Sequence, residues 1–570
     1  MSLRIAMPGV RREGASFAFD FEGDAIEAWP GETVMAALVA AGRLGMRTAK
    51  DGALRGPYCG MGVCGECSVL VDGVQQRACM TAARAGARVR PMPLLAPVAT
   101  VAPPAAAAVE HRPDLLVIGG GAAGLSAAIA AARAGLDVVL ADERAKAGGQ
   151  YFKQPGRGFA VDDKAVDAQF AEGVALADEA RAAGARILQG AAIWSAQPDG
   201  EVRLAHEGAQ HVVRARHVIV ATGAYERPHM VPGWTLPGVM TTGAAQTLLR
   251  AYQVAPGARV LVAGNGPLNL QVARELLRAG VEVVAVAEAA AVPGLRYAAN
   301  ALVMAANAPG LVRDGIGHLA ALRRAGVKLL HRHVLIAAEG DTQVRSATLA
   351  RFDRHGRPIA GSEVRFDVDI VCCGYGFLPQ AEIARALGVD MRADAPAEIA
   401  RDAIGATALA AVHVVGDAGA MGGARVAMAQ GTLAGLAVVE RLGGRIDMLA
   451  REQAARALAR HRRFQAALWR IYSAPAFGTA LATSDTLLCR CESVPLAAVD
   501  ALLADGAASV GAIKRLSRVG MGRCQGRYCG ALLADRLARA GVAAPQGDPG
   551  FAPRPPFRPI MSTAIALGDG

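Results

Sequence analysis

The stretch DLLVIGGGAAGLSAAIAAARAGLDVVLADERAKAGGQ, Asp114 to Gln150, decides the reading of this chain. Its apolar run Leu115–Ile118 predicts a buried strand, an Ala-rich helix follows at once, and a second apolar strand ends at Asp142–Glu143. Gly119, Gly121 and Gly124 stand between first strand and helix in G-x-G-x-x-G spacing. In that spacing Gly119 makes the tight turn, Gly121 admits backbone close to a pyrophosphate, and Gly124 lets helix and strand close-pack. Ala122 and Ala123 open the helix, whose free N–H groups and positive end suit phosphates. An acid about twenty residues further on accepts hydrogen bonds from a ribose hydroxyl, and Asp142 and Glu143, followed by Arg144, stand there. Gly149 and Gln150 close the stretch. Strand, helix, second strand and acid in this order predict a bound dinucleotide.

Upstream, RGPYCGMGVCGECSVLVDGVQQRACMT carries Cys59, Cys64, Cys67 and Cys79: C-x4-C-x2-C, then a fourth cysteine twelve residues later. Three thiolates on one Gly-rich loop (Gly60, Gly62, Gly65) can wrap a small inorganic core. The spacing is that of a plant-type [2Fe-2S] cluster, whereas zinc favours two separated C-x2-C knuckles. Near the other end, Cys489 and Cys491 form C-x-C and Cys524 and Cys529 form C-x4-C, with 32 residues between the pairs. Two thiolate pairs brought together by short helices suit a second [2Fe-2S] cluster, with zinc as the alternative. Arg490, Lys514, Arg523 and Arg527 stand near to offset its charge. Vicinal Cys372 and Cys373 read as buried core residues.

Downstream of the first unit, HVIVATGAYERP (His217–Pro228) gives an apolar strand and then Thr222–Gly223. A second unit, Arg259 to Glu288, repeats strand, Gly264, Gly266, helix, strand and terminal acid, with Asn269 replacing the third glycine. Without that glycine the helix and strand are expected to pack less closely. Glu288 favours a free ribose 2′-OH, so the unit is either an NAD(H) site or a retained fold that no longer binds. After the buried strand of DIVCCGYGFLP, the run VHVVGDAGAMGG places Gly416–Asp417 at a strand end, where Asp417 can accept a hydrogen bond from a flavin ribityl hydroxyl. This order of motifs points to FAD.

The fold class expected is α/β: a flavoprotein with two dinucleotide-binding domains, glutathione-reductase-like, carrying a β-grasp ferredoxin domain in front and a small helical [2Fe-2S] domain behind. The expected boundaries are 1–93 for the ferredoxin domain and 94–110 for an Ala/Pro linker. The first nucleotide domain takes 111–250 and 366–445, with the second inserted at 251–365. A connecting helix covers 446–482, the second cluster domain 483–542, and a Pro-rich tail 543–570 that frays or lies along a partner.

Among 570 residues the formal charge is +11, yet the arginines are scattered and aromatics are few, which argues against nucleic-acid binding. No long apolar run predicts a spanning helix and the N-terminus lacks a secretory pattern, so the ten cysteines belong in a reducing, cytoplasmic setting.

Taken together, Cys59–Cys79, Gly119–Gln150, VPGWTLPGVMTTGAAQ (Val231–Gln246) and CRCE with GMGRCQGRYC resemble the α subunits of hetero-oligomeric amine and imino-acid dehydrogenases. That family includes opine dehydrogenases (oxidases), hydroxyproline dehydrogenase, dye-linked proline dehydrogenase and hydrogen cyanide synthase. Here the ferredoxin domain is fused at the N-terminus, and the large C-terminal extension of tetrameric sarcosine oxidase α is missing. The resemblance implies that a β subunit with its own FAD oxidises the substrate C–N bond. This chain would then pass electrons through a flavin and two clusters to a quinone or respiratory carrier, so the substrate base is expected on the partner. It implies FAD, NAD or ATP at the first nucleotide site, FMN at a subunit interface, and a cytoplasmic chain able to sit at the inner face of the membrane. Gln150 and Thr222–Gly223 match family motif positions. The rival expectation is a stand-alone NADH-dependent flavin and iron–sulfur reductase. A third, non-enzymatic reading makes the C-terminal domain an iron-release docking module.

Overall fold

The computed structural model describes residues 2–94, 108–162, 164–542 and 550–560. Most of the expected linker and parts of the tail lie outside these residues. Near the N-terminus a five-stranded sheet runs in the order Asp24–Ala28, Phe17–Phe21, Arg88–Pro91, Ser68–Val71, Val74–Arg77. Helix Val34–Ala40 lies on it, its first turn capped by the Thr33 hydroxyl accepting from Ala36 N, and all seven of its residues are buried. The burial has a reason beyond the sheet: Val34–Ala40 and Phe19 share one apolar core with Met240, Leu248, Val260 and Val286 of the second nucleotide unit. The ferredoxin-like domain is thus packed on the flavoprotein.

Two parallel sheets carry the nucleotide units. The first runs Arg186–Gln189, Val138–Asp142, Leu115–Ile118, His217–Val220, Val412–Val414. Its central strand, buried at every residue, feeds the first glycine loop. Helix Ala122–Arg133 begins there, and Gly431 on helix Ala424–Arg441 lets the two helices touch, since a Cβ at Gly431 would collide with the Ala123 carbonyl. The second sheet runs Val239–Thr241, Ile370–Gly374, Arg259–Gly264, Glu282–Glu288, Lys328–His331. The point of exchange between units therefore differs from the expected boundaries. Val239–Thr241 and Ile370–Gly374 belong to the second sheet, and the return to the first is made later, by Val412–Val414. An apolar strand reads alike in either sheet, so the sequence pattern carries no preference. The antiparallel pair Ala224–Glu226 and Phe377–Pro379 joins the two units.

Val109–His111 pairs in parallel with His211–Val213, so the end of the expected linker is a strand. Helix Met448–Ile471 then crosses the molecule, burying Phe464 and Leu468 against Ala308. Short helices Leu496–Ala504, Val510–Ser517 and Cys529–Arg539 and the strand Leu487–Cys489 build the C-terminal cysteine domain. Tail residues 550–560 lie on this chain itself: Phe551 packs on Gly520 and Gly526, and Phe557 N donates to the Trp194 carbonyl at 2.9 Å.

Candidate functional site

A cavity of about 1330 Å³ opens between the two nucleotide units. Gly119, Gly121, Ala122 and Ala123 form one wall, with Asp142, Glu143, Arg144, Gly149, Gln150, Thr222, Gly223 and Asp417 around them. Gly119 holds φ +108°, a backbone only glycine adopts freely, and a Cβ on Gly124 would collide with the Gly119 carbonyl oxygen. Gly124 thus sits away from the cavity, as a packing glycine.

The two acids at the end of the second strand divide the work. Asp142 turns back: its carboxylate accepts from Gly120 N at 2.5 Å and from Arg144 N at 2.7 Å, and burial raises its pKa. It braces the glycine loop, whereas Glu143 lines the cavity. Glu143 in turn accepts from Arg558 Nε of the tail at 2.8 Å. Against the cost of burial, Arg558 pulls the Glu143 carboxyl down to about 2. Arg558, 415 residues away, lines the same cavity, and nothing in its local sequence advertises this role. Asp417 Oδ1 accepts from Gly422 N and Gly423 N at 2.8 and 2.9 Å, fixing the glycine loop before helix Ala424–Arg441. Gly416, beside it, is held by the Gln430 side chain and does not line the cavity. The Thr222 hydroxyl donates to the Gln380 carbonyl at 2.6 Å, while Gln150 carries its amide beside Arg144.

Two cavity residues escaped the sequence reading, Lys153 and Glu226. Both are buried. Lys153 Nζ donates to Gln246 Oε1 at 2.8 Å, and Glu226 accepts from Gly243 N with both oxygens. Burial pushes the Glu226 carboxyl up to about 7, and burial with Arg144 brings the Lys153 ammonium down to about 7. A carboxyl and an amine that both titrate near neutrality can hold or release a proton beside a redox cofactor. The tell-tale was Glu226 directly after T-G-A-Y, on a strand end.

The second glycine loop is arranged differently. Glu288 points inward, accepting from Gly266 N at 3.1 Å and Ala290 N at 3.0 Å, and burial pushes it up to about 7. Glu288 and Gly264 do not line the cavity, although Gly266 does. Trp469 of the long helix covers Gly266, its ring 3.6 Å from where a Cβ would stand, and Asn265 Nδ2 donates to the Tyr472 carbonyl at 2.7 Å. Asn269 is no packing defect. Its amide donates to the Gly374 carbonyl and accepts from Thr242 Oγ1, both at 3.0 Å, and Gly374 lacks the Cβ that would strike it. The glycine missing from the motif reappears across the sheet.

Cys59, Cys64 and Cys67 of the first cysteine loop are buried, as is Cys79, and Cys489, Cys524 and Cys529 are buried with Cys491 half-buried. Backbone N–H groups point at sulfur: Gly62 N to Cys79 at 3.2 Å, Cys64 N to Cys59 and Glu66 N to Cys64 at 3.4 Å. Cys491 and Cys524 sulfurs lie 3.4 Å apart. Among the described residues no set of three or more His, Cys, Asp or Glu is spaced around one metal ion. Around the two thiol sets, however, the buried Tyr58 and Tyr528 hydroxyls and Arg523 Nη1 find no acceptor in the chain. Donors without acceptors beside clustered thiols fit an anionic, sulfide-bearing group. Met61 of the first cysteine loop reaches the cavity wall, so thiols and cavity adjoin.

Fold and cavity define a flavoprotein oxidoreductase with an iron–sulfur domain. A family model described as pyridine nucleotide-disulphide oxidoreductase matches residues 113–431, and one for a 2Fe-2S iron-sulfur cluster binding domain matches residues 14–92. The chain is 33% identical over 461 residues to an opine oxidase subunit of Rhizobium meliloti (strain 1021), spanning 80% of this chain and 98% of that protein. It is 32% identical over 467 residues to hydrogen cyanide synthase subunit HcnB of Pseudomonas aeruginosa, spanning 79% and 97%. The crystal structure of L-proline dehydrogenase from P. horikoshii shares the fold, with TM-score 0.68 over 99% of this chain and 100% of that one, at 19% identity. The chain belongs to the pyridine nucleotide-disulphide oxidoreductase family, alongside HcnB and that opine oxidase subunit. No helix among the described residues is long and apolar enough to cross a membrane.

Proposed function

We propose that this chain is the electron-transfer subunit of an FAD-dependent dehydrogenase acting on the C–N bond of an amine or imino acid, opine- or hydroxyproline-like. A partner flavoprotein β subunit would oxidise the substrate, and a quinone or respiratory carrier would receive the electrons. The observation that carries the reading is the cover over the second glycine loop. With Trp469 on Gly266, Tyr472 tied to Asn265 and Glu288 spent on backbone N–H groups, the second nucleotide unit presents its glycine loop to NADH less openly than the first. That arrangement supports electron entry from a partner, and relatives named as subunits supply the precedent.

When bound, FAD and [2Fe-2S] clusters supply two-electron and one-electron transfer. The chain's own residues do the rest. Gly119, Gly121 and the start of the helix behind them would hold a pyrophosphate, with Glu143 at the ribose and Asp417 at the ribityl chain. Glu226 and Lys153 hold or move a proton at the cavity wall. The eight cysteines would ligate two clusters, Cys59, Cys64, Cys67 and Cys79 the first and Cys489, Cys491, Cys524 and Cys529 the second. FMN at the interface with the β subunit belongs to the same reading, as does a cytoplasmic location with peripheral contact to the membrane. The test is to offer opines, imino acids and a dye acceptor to the isolated chain. The expected result is little oxidation, restored when the partner flavoprotein is added. Fast oxidation by the isolated chain would overturn the proposal.

A further inference from the structure

The two cysteine sites are not merely both present; they face each other across a buried, charged junction. Gly65, between Cys64 and Cys67, lies against Arg523, the neighbour of Cys524, with 3.1 Å between the Arg523 Cβ and the position a Gly65 Cβ would take. At the centre is Arg490, flanked in sequence by Cys489 and Cys491 and only 4% exposed. Its guanidinium lies 3.9 Å from the Tyr58 ring centroid and 4.6 Å from that of Trp234. Tyr58 precedes Cys59 in the chain and meets Tyr528, which precedes Cys529, edge-on at 5.4 Å. Arg490 Nη1 donates to the Trp234 carbonyl at 2.8 Å, and its Nη2 lies 3.5 Å from Glu66 Oε2. Glu66 sits inside the first cysteine loop and is held from the other side by Arg47 at 2.7 Å.

Burying a guanidinium carries a desolvation cost, which the aromatic faces and the shared carboxylate offset. Arg47, Arg55, Arg490 and Arg523 gather around Glu66, with Asp51 and Glu492 the other carboxylates in reach, so four guanidinium groups against three carboxylates leave a net positive charge where both thiolate sets converge. We propose that Arg490 is the positioning residue of this junction: it fixes the two cluster loops against each other and holds a positive charge that serves both clusters at once. The inference rests on the reading that both cysteine sets hold [2Fe-2S] clusters. A positive charge at short range in a low-dielectric interior favours the reduced, more negative cluster, so it raises the reduction potential.

The experiment is an anaerobic redox titration of the full chain followed by electron paramagnetic resonance, with iron and acid-labile sulfide measured on every preparation. R490M should lower the potentials of both clusters, E66Q should raise both, and R490K should stay near wild type. If R490M fails to load its clusters, E66Q decides alone, because its shift has the opposite sign to damage by charge loss. Unchanged potentials in R490M or E66Q, a shift confined to one cluster, or R490K behaving like R490M would overturn the proposal. Wild-type protein with fewer than two clusters would instead sink the reading beneath it, and the iron and sulfide analysis separates the two failures.

Discussion

Asn269 and Gly374 show how one residue's meaning can depend on another far along the chain. The amide of Asn269 joins helix Pro267–Arg278 to the Gly374 carbonyl and the Thr242 hydroxyl. Gly374→Ala would drive a methyl into that amide, and overpacking of this kind costs about 1–3 kcal/mol. Thermal unfolding should show the loss, whereas an unchanged melting temperature would mean that the amide moves aside without penalty. Histidine supplies a second test at this scale. Burial lowers His229, whose Nε2 meets the Leu335 carbonyl at 2.8 Å, to about 4, and burial with Arg441 lowers His413 to about 4. The unfolded chain binds these protons more readily, so their stabilisation is full above the ordinary histidine value and is lost as pH falls from there through about 4. For His229 alone the loss is about 3 kcal/mol. The melting temperature should drop across that window, and His229→Gln, which can still donate to Leu335, should flatten the drop. An equally steep profile in the variant would contradict the assignment.

Among the elements, those whose chemistry is local were legible in the sequence. The C-x4-C-x2-C loop brings its own thiols together, and the first glycine loop brings its own helix, so both arrangements follow from local sequence without knowing the fold. The sequence leaves Asp142 and Glu143 open as the acid of that unit, because they are adjacent and only the fold shows which one turns inward. What the sequence could not reveal depends on distant pairing. Ile370–Gly374 is an apolar strand whichever sheet receives it, and Glu288 resembles a ribose acid until its hydrogen bonds to Gly266 and Ala290 are seen. The tail is the clearest case. Gln525 donates to the Pro556 carbonyl at 2.7 Å, Arg527 to the Phe557 carbonyl at 3.2 Å, and Arg558 then reaches Glu143, so one short segment runs from the second cysteine loop to the first nucleotide site. Arg558→Ala should weaken retention of the dinucleotide, read as the amount released on mild heating, and Glu143→Gln should act in the same direction. Undiminished retention in both variants would show that the tail is a passenger.

At the scale of the molecule, the ferredoxin-like domain, second nucleotide unit and C-terminal cysteine domain share buried cores, which join Val34–Ala40 to the second nucleotide unit and Cys59 and Cys64 to Cys489 and Cys529. Such packing suits electron transfer, because it fixes the separations between sites. It also assigns the long helix Met448–Ile471 a purpose beyond connection, since its end packs on the second glycine loop. The most direct test of electron entry from a partner is anaerobic mixing of the purified chain with NADH while flavin and cluster absorbance are followed. NADH should cause no bleaching, and dithionite should bleach the protein fully. Rapid bleaching by NADH would contradict entry from a partner, and would make this chain a reductase in its own right.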